Sequence, residues 1–279
     1  MIDISSISST LKLGADGVWY SNERHDISYP SEGNQECFQV EDSSFWFNHR
    51  NACILSAVRT FPFAKHGTIF DIGGGNGYVS LALIRSGFDA VLVEPGVIGA
   101  ANAKKRGIPS VVCATTETSG FSKGSLDAVG LFDVIEHIDD DSHFLRSIRN
   151  LVKHGGRVYA TVPAYSFLWS KEDELAGHFR RYTCKSIGDS FERAGFKLDY
   201  VTYIFMPLPL PILLLRAIPH RLGYTRTTAN TQHTENDHRR GNSVASRGLN
   251  WLLGGEIEKI ASKRRISFGG SCLVVATAA

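Results

Sequence analysis

The residues of this chain best placed to do chemistry lie between Gly67 and Glu94. A short apolar run, Thr68-Ile69-Phe70, meets a carboxylate at Asp71, and after Ile72 come four glycines within five residues, Gly73-Gly74-Gly75-Asn76-Gly77. Tyr78 to Ile84 then opens with helical spacing. The pattern predicts a strand, a tight turn and a helix start, with glycine used where the backbone takes φ > 0 or lets a ligand approach closely. A helix N-terminus with unpaired N–H groups adds to the cradle. The spacing is D-x-G-x-G-x-G. It lacks the G-x-G-x-x-G of a dinucleotide fingerprint and the Gly-Lys-Ser/Thr of a P-loop. A carboxylate before the turn repels a pyrophosphate and suits an ammonium group. About 20 residues on, Asp89 to Glu94 reads as a second strand ending in an acid, placed to take both hydroxyls of a ribose. Ribose, a cationic amino-acid end and no phosphate describe S-adenosylmethionine.

These residues, Asp71-Ile72-Gly73-Gly74-Gly75-Asn76-Gly77 with Glu94, resemble the class I S-adenosylmethionine-dependent methyltransferases. Phe132-Asp133-Val134-Ile135-Glu136-His137 resembles that family's fourth-strand motif. The resemblance covers most of the chain from Phe45 to Ala276. It implies an α/β, Rossmann-like fold with a seven-stranded, mostly parallel sheet, its last strand antiparallel and beside the sixth, and helices on both faces. Gly73, Gly75, Gly77, Glu94 and Pro95 would cradle the cofactor, with Phe132, Asp133 and Val134 lining its pocket and Glu136-His137 looking toward the transferred methyl. The run from Trp169 to Thr183, ending Gly177-His178-Phe179-Arg180-Arg181-Tyr182-Thr183, resembles a bacterial subgroup often encoded beside glycan or secondary-metabolite pathways, whose acceptors vary.

The elements that must position these residues follow from pattern. Residues 1–40 are polar and turn-rich, clearest at Tyr29 to Asn34, and read as an N-terminal cap segment to a single domain over 41–279. Glu41 to Asn51 opens a helix capped by Asp or Ser, with Phe47, Arg50, Ile54 and Val58 at helical spacing up to Pro62. Within the resemblance Arg50 would pair the cofactor's carboxylate and Trp46 or Phe47 would face its sulfonium; equally, the aromatics are core and Arg50 sits in a structural ion pair. Gly96 to Gly107 reads as a helix and Ile108 to Ala114 as the third strand. Thr116 and Glu117, past its carboxyl end, would edge the adenine, or form a plain surface turn.

Asp139, Asp140 and Asp141 cap the helix Ser142 to Lys153 rather than bind a metal, and no metal is expected elsewhere, since His233 and His238 lack ligand-like company. Gly155 to Pro163 is the fifth strand. The loop over 164–183 would hold the acceptor through Tyr165, Phe167 and Trp169, with Arg180 and Arg181 gripping an anion or pairing with Glu172, Asp173 or Glu174. A hydroxyl or ammonium acceptor needs a base, for which His137 and His178 are candidates and Tyr182 a third. Each histidine reads equally as a hydrogen-bonded structural residue.

Ile187 to Ala194 reads as a helix and Phe196 to Tyr203 as a strand. Ile204 to Leu215, the most apolar stretch, is too short and proline-broken to span a membrane. It is a core helix or a lid over the acceptor, or, with Arg216, His220, Arg221 and Arg226 following, a face for peripheral membrane contact with an apolar or lipid-linked acceptor. Residues 223–243 read as a mobile polar insertion, Leu249 to Arg265 as an amphipathic helix and Ser267 to Ala276 as the last strand; the whole of 204–265 forms an insertion.

Bulk composition bounds the rest. The chain is 279 residues, 43% hydrophobic and 21% charged, which fits an ordinary globular domain with a sizeable core. A net charge of +2 gives no footprint for nucleic acid. Five scattered cysteines, Cys37, Cys53, Cys113, Cys184 and Cys272, read as reduced thiols of a cytoplasmic protein, and Met1 to Ser6 carries no signal-peptide pattern. The expected activity is methyl transfer to an oxygen or nitrogen of a small molecule, less readily to carbon or sulfur. A non-catalytic binding protein of the same fold is the alternative, and the glycine spacing disfavours a nicotinamide oxidoreductase. Oligomeric state is not legible.

Overall fold

The computed structural model describes residues 3–23, 38, 40–224 and 244–279, without the side chains of 244–252. The expected loop at 29–34, Cys37, Arg226, His233, His238 and the polar insertion past Tyr224 lie outside the described residues. Among the described residues nine strands form one sheet: β1 (Lys12–Leu13), β2 (Val18–Tyr20), β3 (Thr68–Ile72), β4 (Asp89–Val93), β5 (Val111–Cys113), β6 (Leu126–Phe132), β7 (Val152–Pro163), β8 (Phe196–Ile204) and β9 (Ser271–Ala278), in the order β1-β2-β5-β4-β3-β6-β7-β9-β8. From β2 to β7 all neighbours are parallel, and β9 runs antiparallel between β7 and β8. The expected mostly parallel sheet with its inserted antiparallel strand is thus present.

The expected count of seven strands is corrected to nine among the described residues. The additional two come from the N-terminal segment, where β2 pairs in parallel with β5 and β1 pairs back on β2. Val18 is fully buried there beside Leu92, Ala100, Ile108 and Val111, so the segment covers an edge that would otherwise expose its ladder groups.

The strands alternate faces, and each face has its own helices. Phe70, Ile72, Val91, Val93, Val129, Leu131, Val158 and Ala160 pack on one side with α4 (Asp141–Leu151) and α6 (Cys184–Arg193). Ile69, Ala90, Ala128, Tyr159, Leu273 and Val275 pack on the other with α1 (Phe45–Thr60), α2 (Tyr78–Arg85) and α7 (Val244–Ala261). This period-two burial of central strands on both faces is what a sheet between two helical layers requires. α3 (Val97–Lys105) packs over β4 and β5, and the short α5 (Lys171–Ala176) stands on the loop after β7.

Because β4 and β5 build outward from one side of β3 and β6 from the other, the strand order reverses at β3, and the carboxyl ends of β3 and β6 border the crevice where open α/β sheets bind ligands. The loops after these two strands meet there: a Cβ at Gly73 would stand 2.8 Å from Val134 Cγ2.

Candidate active site

The turn after β3 is built by left-handed glycines, with φ of 67° at Gly73, 53° at Gly75 and 78° at Gly77, which caps α2. The Gly73 N–H donates to the Val93 carbonyl at 2.7 Å, tying the turn to β4. A Cβ on Gly74 would meet Asp71 Oδ2 and Leu92 Cδ1, each at 2.8 Å. The turn therefore closes directly over the Asp71 carboxylate.

That carboxylate is fully buried. Its Oδ2 accepts from Ser80 Oγ at 2.7 Å, while Oδ1 is buried with no hydrogen-bond partner. Burial pushes its pKa up to about 6, against the Ser80 hydrogen bond and the charge of Arg50, which favour the anion. Glu94, at the end of β4, is fixed by two backbone amides: Gly75 N–H donates to Oε2 at 2.9 Å and Gly96 N–H to Oε1 at 2.7 Å. Burial raises it to about 7, opposed by those two amides. Each oxygen keeps a lone pair for a further donor.

A cavity of about 270 Å³ opens beside the turn, lined by Gly73, Pro95, Thr116, Glu117, Val134 and, from the start of α4, Phe144, with other residues around them. Thr116 Oγ1 is buried there with no hydrogen-bond partner. Asp140 caps α4 through the His143 N–H at 2.8 Å and also borders the cavity.

From the other side α1 lies over the turn. Ser44 caps it, Asn51 Nδ2 donates to the Tyr78 carbonyl at 3.2 Å, and Tyr78 Oη donates to Asn48 Oδ1 at 2.9 Å. Arg50 points from α1 onto the loop after β6, where its Nη1 pairs with Asp133 Oδ2. Asp133 has φ 57° and is held there by Thr161, whose carbonyl accepts from the Asp133 N–H and whose Oγ1 donates to Oδ1 at 3.0 Å. A left-handed aspartate pinned by three contacts is the kind of backbone found at functional sites.

Just past Asp133, the turn Ile135–His137 presents Glu136 and His137 toward the loop after β7. Glu136 is 1% exposed, and its Oε2 is buried with no hydrogen-bond partner. Burial pushes its pKa well above the usual range, and the Asp133 charge adds to this. The His137 ring stands edge-on to that of His178, centroids 4.7 Å apart; burial and then the neighbouring His178 lower its pKa to about 4. His178 Nδ1 lies 2.8 Å from Asp173 Oδ1. Asp173 also accepts from both Arg181 Nε at 2.7 Å and Nη2 at 3.0 Å, and from the Ser170 N–H at 2.9 Å. Burial would raise Asp173, but hydrogen bonds from His178 and Arg181 outweigh it and hold its pKa near 2. One ligand-capable atom of each of Glu136, His137 and His178 lies within 4.8 Å of the others.

A methyltransferase-domain family model matches residues 47–201, more than half of the chain. The chain belongs to this methyltransferase family. Among curated proteins none matches it. Solved structures share the fold at low identity. A phosphoethanolamine N-methyltransferase 2 of Haemonchus contortus, in complex with S-adenosyl-L-methionine, aligns with a TM-score of 0.56 and 21% identity over 90% of this chain and 57% of its own. A possible histamine N-methyltransferase of Thermotoga maritima aligns with a TM-score of 0.54 and 17% identity over 90% and 100%. A complex between the Haloferax volcanii Trm112 methyltransferase activator and a methyltransferase aligns with 0.54 and 18% over 89% and 93%.

Within this methyltransferase, several expected residues have other work. Arg50 pairs with Asp133 rather than standing open to a ligand carboxylate, and Trp46 stacks on Phe205 with rings 5.5 Å apart and 2° from parallel, Arg50 lying 4.8 Å over its face. Phe132 is buried in the core beneath α1 instead of lining the cavity. Tyr182 is no base: its hydroxyl donates to Asp141 at 2.8 Å, and burial together with that bond moves its pKa far above the usual phenol range. Arg180 pairs with Asp141 at 3.2 Å and Arg181 with Asp173, so both help to hold the loop, Arg181 the more buried of the two.

Tyr165, at φ 58°, stacks between Phe167 and Tyr203, each 5.0 Å away, and Trp169 is half-buried. The sequence did not single out Thr161 or the α4 residues at the cavity. An N-cap signal marks Asp140, but only the sheet order brings it to β3.

Proposed function

We propose that this protein transfers a methyl group from S-adenosylmethionine to an oxygen or nitrogen of a small-molecule acceptor. The observation that carries this reading is Asp71 Oδ1, a buried carboxylate oxygen with no partner, beneath a glycine turn that a Cβ would fill. A buried carboxylate oxygen left without a hydrogen-bond partner is costly, and a ligand ammonium relieves it. Glu94, held by two amides, is preset to accept from two ribose hydroxyls, and the orphaned Thr116 Oγ1 in an apolar cavity suits the edge of a purine. These residues fit the cofactor. When bound, it supplies an electrophilic methyl on a sulfonium whose departure needs no acid.

The chain's share is to position the reactants and accept a proton where the acceptor carries one. Glu136 and His137, past β6, meet His178, in the loop after β7, for that step, His178 oriented by Asp173. The aromatic stack of Tyr165, Phe167 and Tyr203 supports a flat or apolar acceptor. Beside it, Leu210, Leu214, Leu215 and Leu222 are exposed and Arg221 Nη2 donates to the Phe167 carbonyl at 2.6 Å, which supports a lipid-linked acceptor met at a membrane surface. Among the described residues no helix is long and apolar enough to cross a membrane.

Calorimetry with S-adenosylhomocysteine against NAD tests the cofactor. Micromolar binding of the first and none of the second is expected, and the reverse order defeats the proposal. Release of S-adenosylhomocysteine on incubation with candidate acceptors separates an enzyme from a binding protein.

A further inference from the structure

We propose that Glu136, His137 and His178 bind a divalent first-row transition ion such as zinc, cobalt or manganese. This deepens the reading above, on which it rests for the identity of the reaction.

The three side chains come from two segments that the backbone ties together: the Phe179 N–H donates to the Glu136 carbonyl at 2.8 Å, which sets His178 beside the turn Ile135–His137. Their ligand atoms lie within 4.8 Å of one another. Ligand atoms about 3–3.5 Å apart surround an ion with bonds of about 2.1 Å, so a small rotamer change closes the site. Glu136 Oε2 is the second observation. It is a carboxylate oxygen on a residue 1% exposed, with no hydrogen-bond partner, inside the cluster. Buried polar atoms of that kind ask for an explanation, and a missing ion is a standard one.

The surroundings match what ligating histidines need. His178 Nδ1 is held by Asp173, itself fixed by Arg181 and Ser170, which leaves the other ring nitrogen for an ion. A histidine steadied by a carboxylate in this way is the usual outer shell of a protein-bound metal. His137 and His178 are both partly exposed, which gives an entry path. Two imidazoles and one carboxylate select a borderline transition ion over magnesium or calcium, and they leave coordination positions open. With the ion bound, the three side chains act as its ligands in place of accepting the proton themselves: an acceptor hydroxyl taken up there would lose its proton to water more readily, and its oxygen would then attack the methyl carbon as the carbon–sulfur bond breaks and the pair returns to sulfur. The second group of this kind, His49, Cys53 and Glu256, is different, because the Glu256 oxygens are taken by His49 and the amides of Phe205 and Met206.

The test is a titration of chelator-treated, desalted full-length protein with Co²⁺, followed by its visible d–d bands, and with Zn²⁺ by calorimetry. One equivalent is expected to bind, with affinity falling at least tenfold in His178→Ala and in Glu136→Gln, about tenfold or more in Asp173→Asn, and not at all in the surface control His154→Ala. Since Glu136→Gln places an amide in a buried site, its S-adenosylhomocysteine binding is measured alongside to show that it is folded, and His178→Ala, at a partly exposed side chain, carries the same test independently. Absence of binding, or binding indifferent to His178→Ala and Glu136→Gln, overturns the proposal. If the protein still turns over S-adenosylmethionine in chelator, the metal site fails while methyl transfer stands.

Discussion

Arg50 reaches from α1 across the crevice and pairs with Asp133, whose left-handed backbone begins the loop that borders both the glycine turn and the Glu136–His137 turn. Both side chains are largely buried, with 10% and 19% of their surface exposed, so removing one leaves the other charge without compensation. Arg50→Ala is expected to lower stability by about 3 kcal/mol and to weaken S-adenosylhomocysteine binding at least tenfold, because the loop loses its anchor. Chemical denaturation and calorimetry read the two effects. Parent-like values in both would mean that the pair is incidental.

The two acids at the turn give a pH dependence with a definite sign. Burial raises Asp71 to about 6 and Glu94 to about 7 in the unliganded protein, above their unfolded values. Raised folded pKa values contribute stability that is present below the unfolded pKa near 4 and is lost as pH rises through 6 to 7. A cationic, hydroxyl-bearing ligand prefers the ionised acids, so its affinity moves the opposite way. The dissociation constant of S-adenosylhomocysteine should fall about tenfold between pH 5 and pH 7.5, one pKa unit of coupling being about 1.4 kcal/mol, and the thermal shift it confers should grow over the same range. Asp71→Asn should remove its share of the slope, leaving that of Glu94, and weaken binding throughout; an unchanged slope in that variant would assign none of the dependence to Asp71.

What was legible in the sequence was what neighbouring residues specify. The glycine turn, Asp71, Glu94 and the Asp140 cap are set by short-range pattern, and the strands beneath them by apolar runs with two buried faces. The partners of Arg50 and of Glu136 were not legible in this way. Arg50 and Asp133 lie 83 residues apart, and Glu136 meets His178 only because the loop after β7 folds back through the Phe179 amide. Nothing local marks such pairs, and so the clustered carboxylate and histidines looked like separate candidates for a base. β1 and β2 escaped for a related reason: three residues at Val18–Tyr20 are too short for a period, and they become a strand because β5 offers an unpaired edge.

The turn itself predicts a contrast between two glycines. Gly74→Ala drives a methyl group to 2.8 Å from both the Asp71 carboxylate and Leu92, and neither neighbour can withdraw from the core. Cofactor binding should fall at least a hundredfold. Gly254→Ala, inside α7 with nothing within 4 Å of the added Cβ, should instead stabilise the fold by about 0.5–1 kcal/mol and leave binding alone. Thermal denaturation with and without S-adenosylhomocysteine distinguishes them, and a Gly74→Ala protein that keeps the full ligand-induced shift would refute the close approach of ligand and turn.

The last prediction concerns Glu256, which is 1% exposed and fastens the end of β8 to α1. Its Oε2 accepts from the Phe205 N–H at 2.8 Å and lies 2.9 Å from His49 Nε2, and its Oε1 accepts from the Met206 N–H at 2.6 Å. Phe205 is fully buried at φ 61°, a conformation that costs about 1–3 kcal/mol for a side-chain-bearing residue and persists only where its surroundings enforce it. Glu256→Ala removes that enforcement and leaves two buried amides unsatisfied, so a loss of about 3 kcal/mol or more is expected. Glu256→Gln keeps one acceptor oxygen and should lose clearly less. The Trp46–Phe205 stack gives a local reading: the near-ultraviolet dichroism of the folded Glu256→Ala protein should diminish. An unaltered aromatic signal together with parent stability would show that Phe205 holds its backbone without the glutamate.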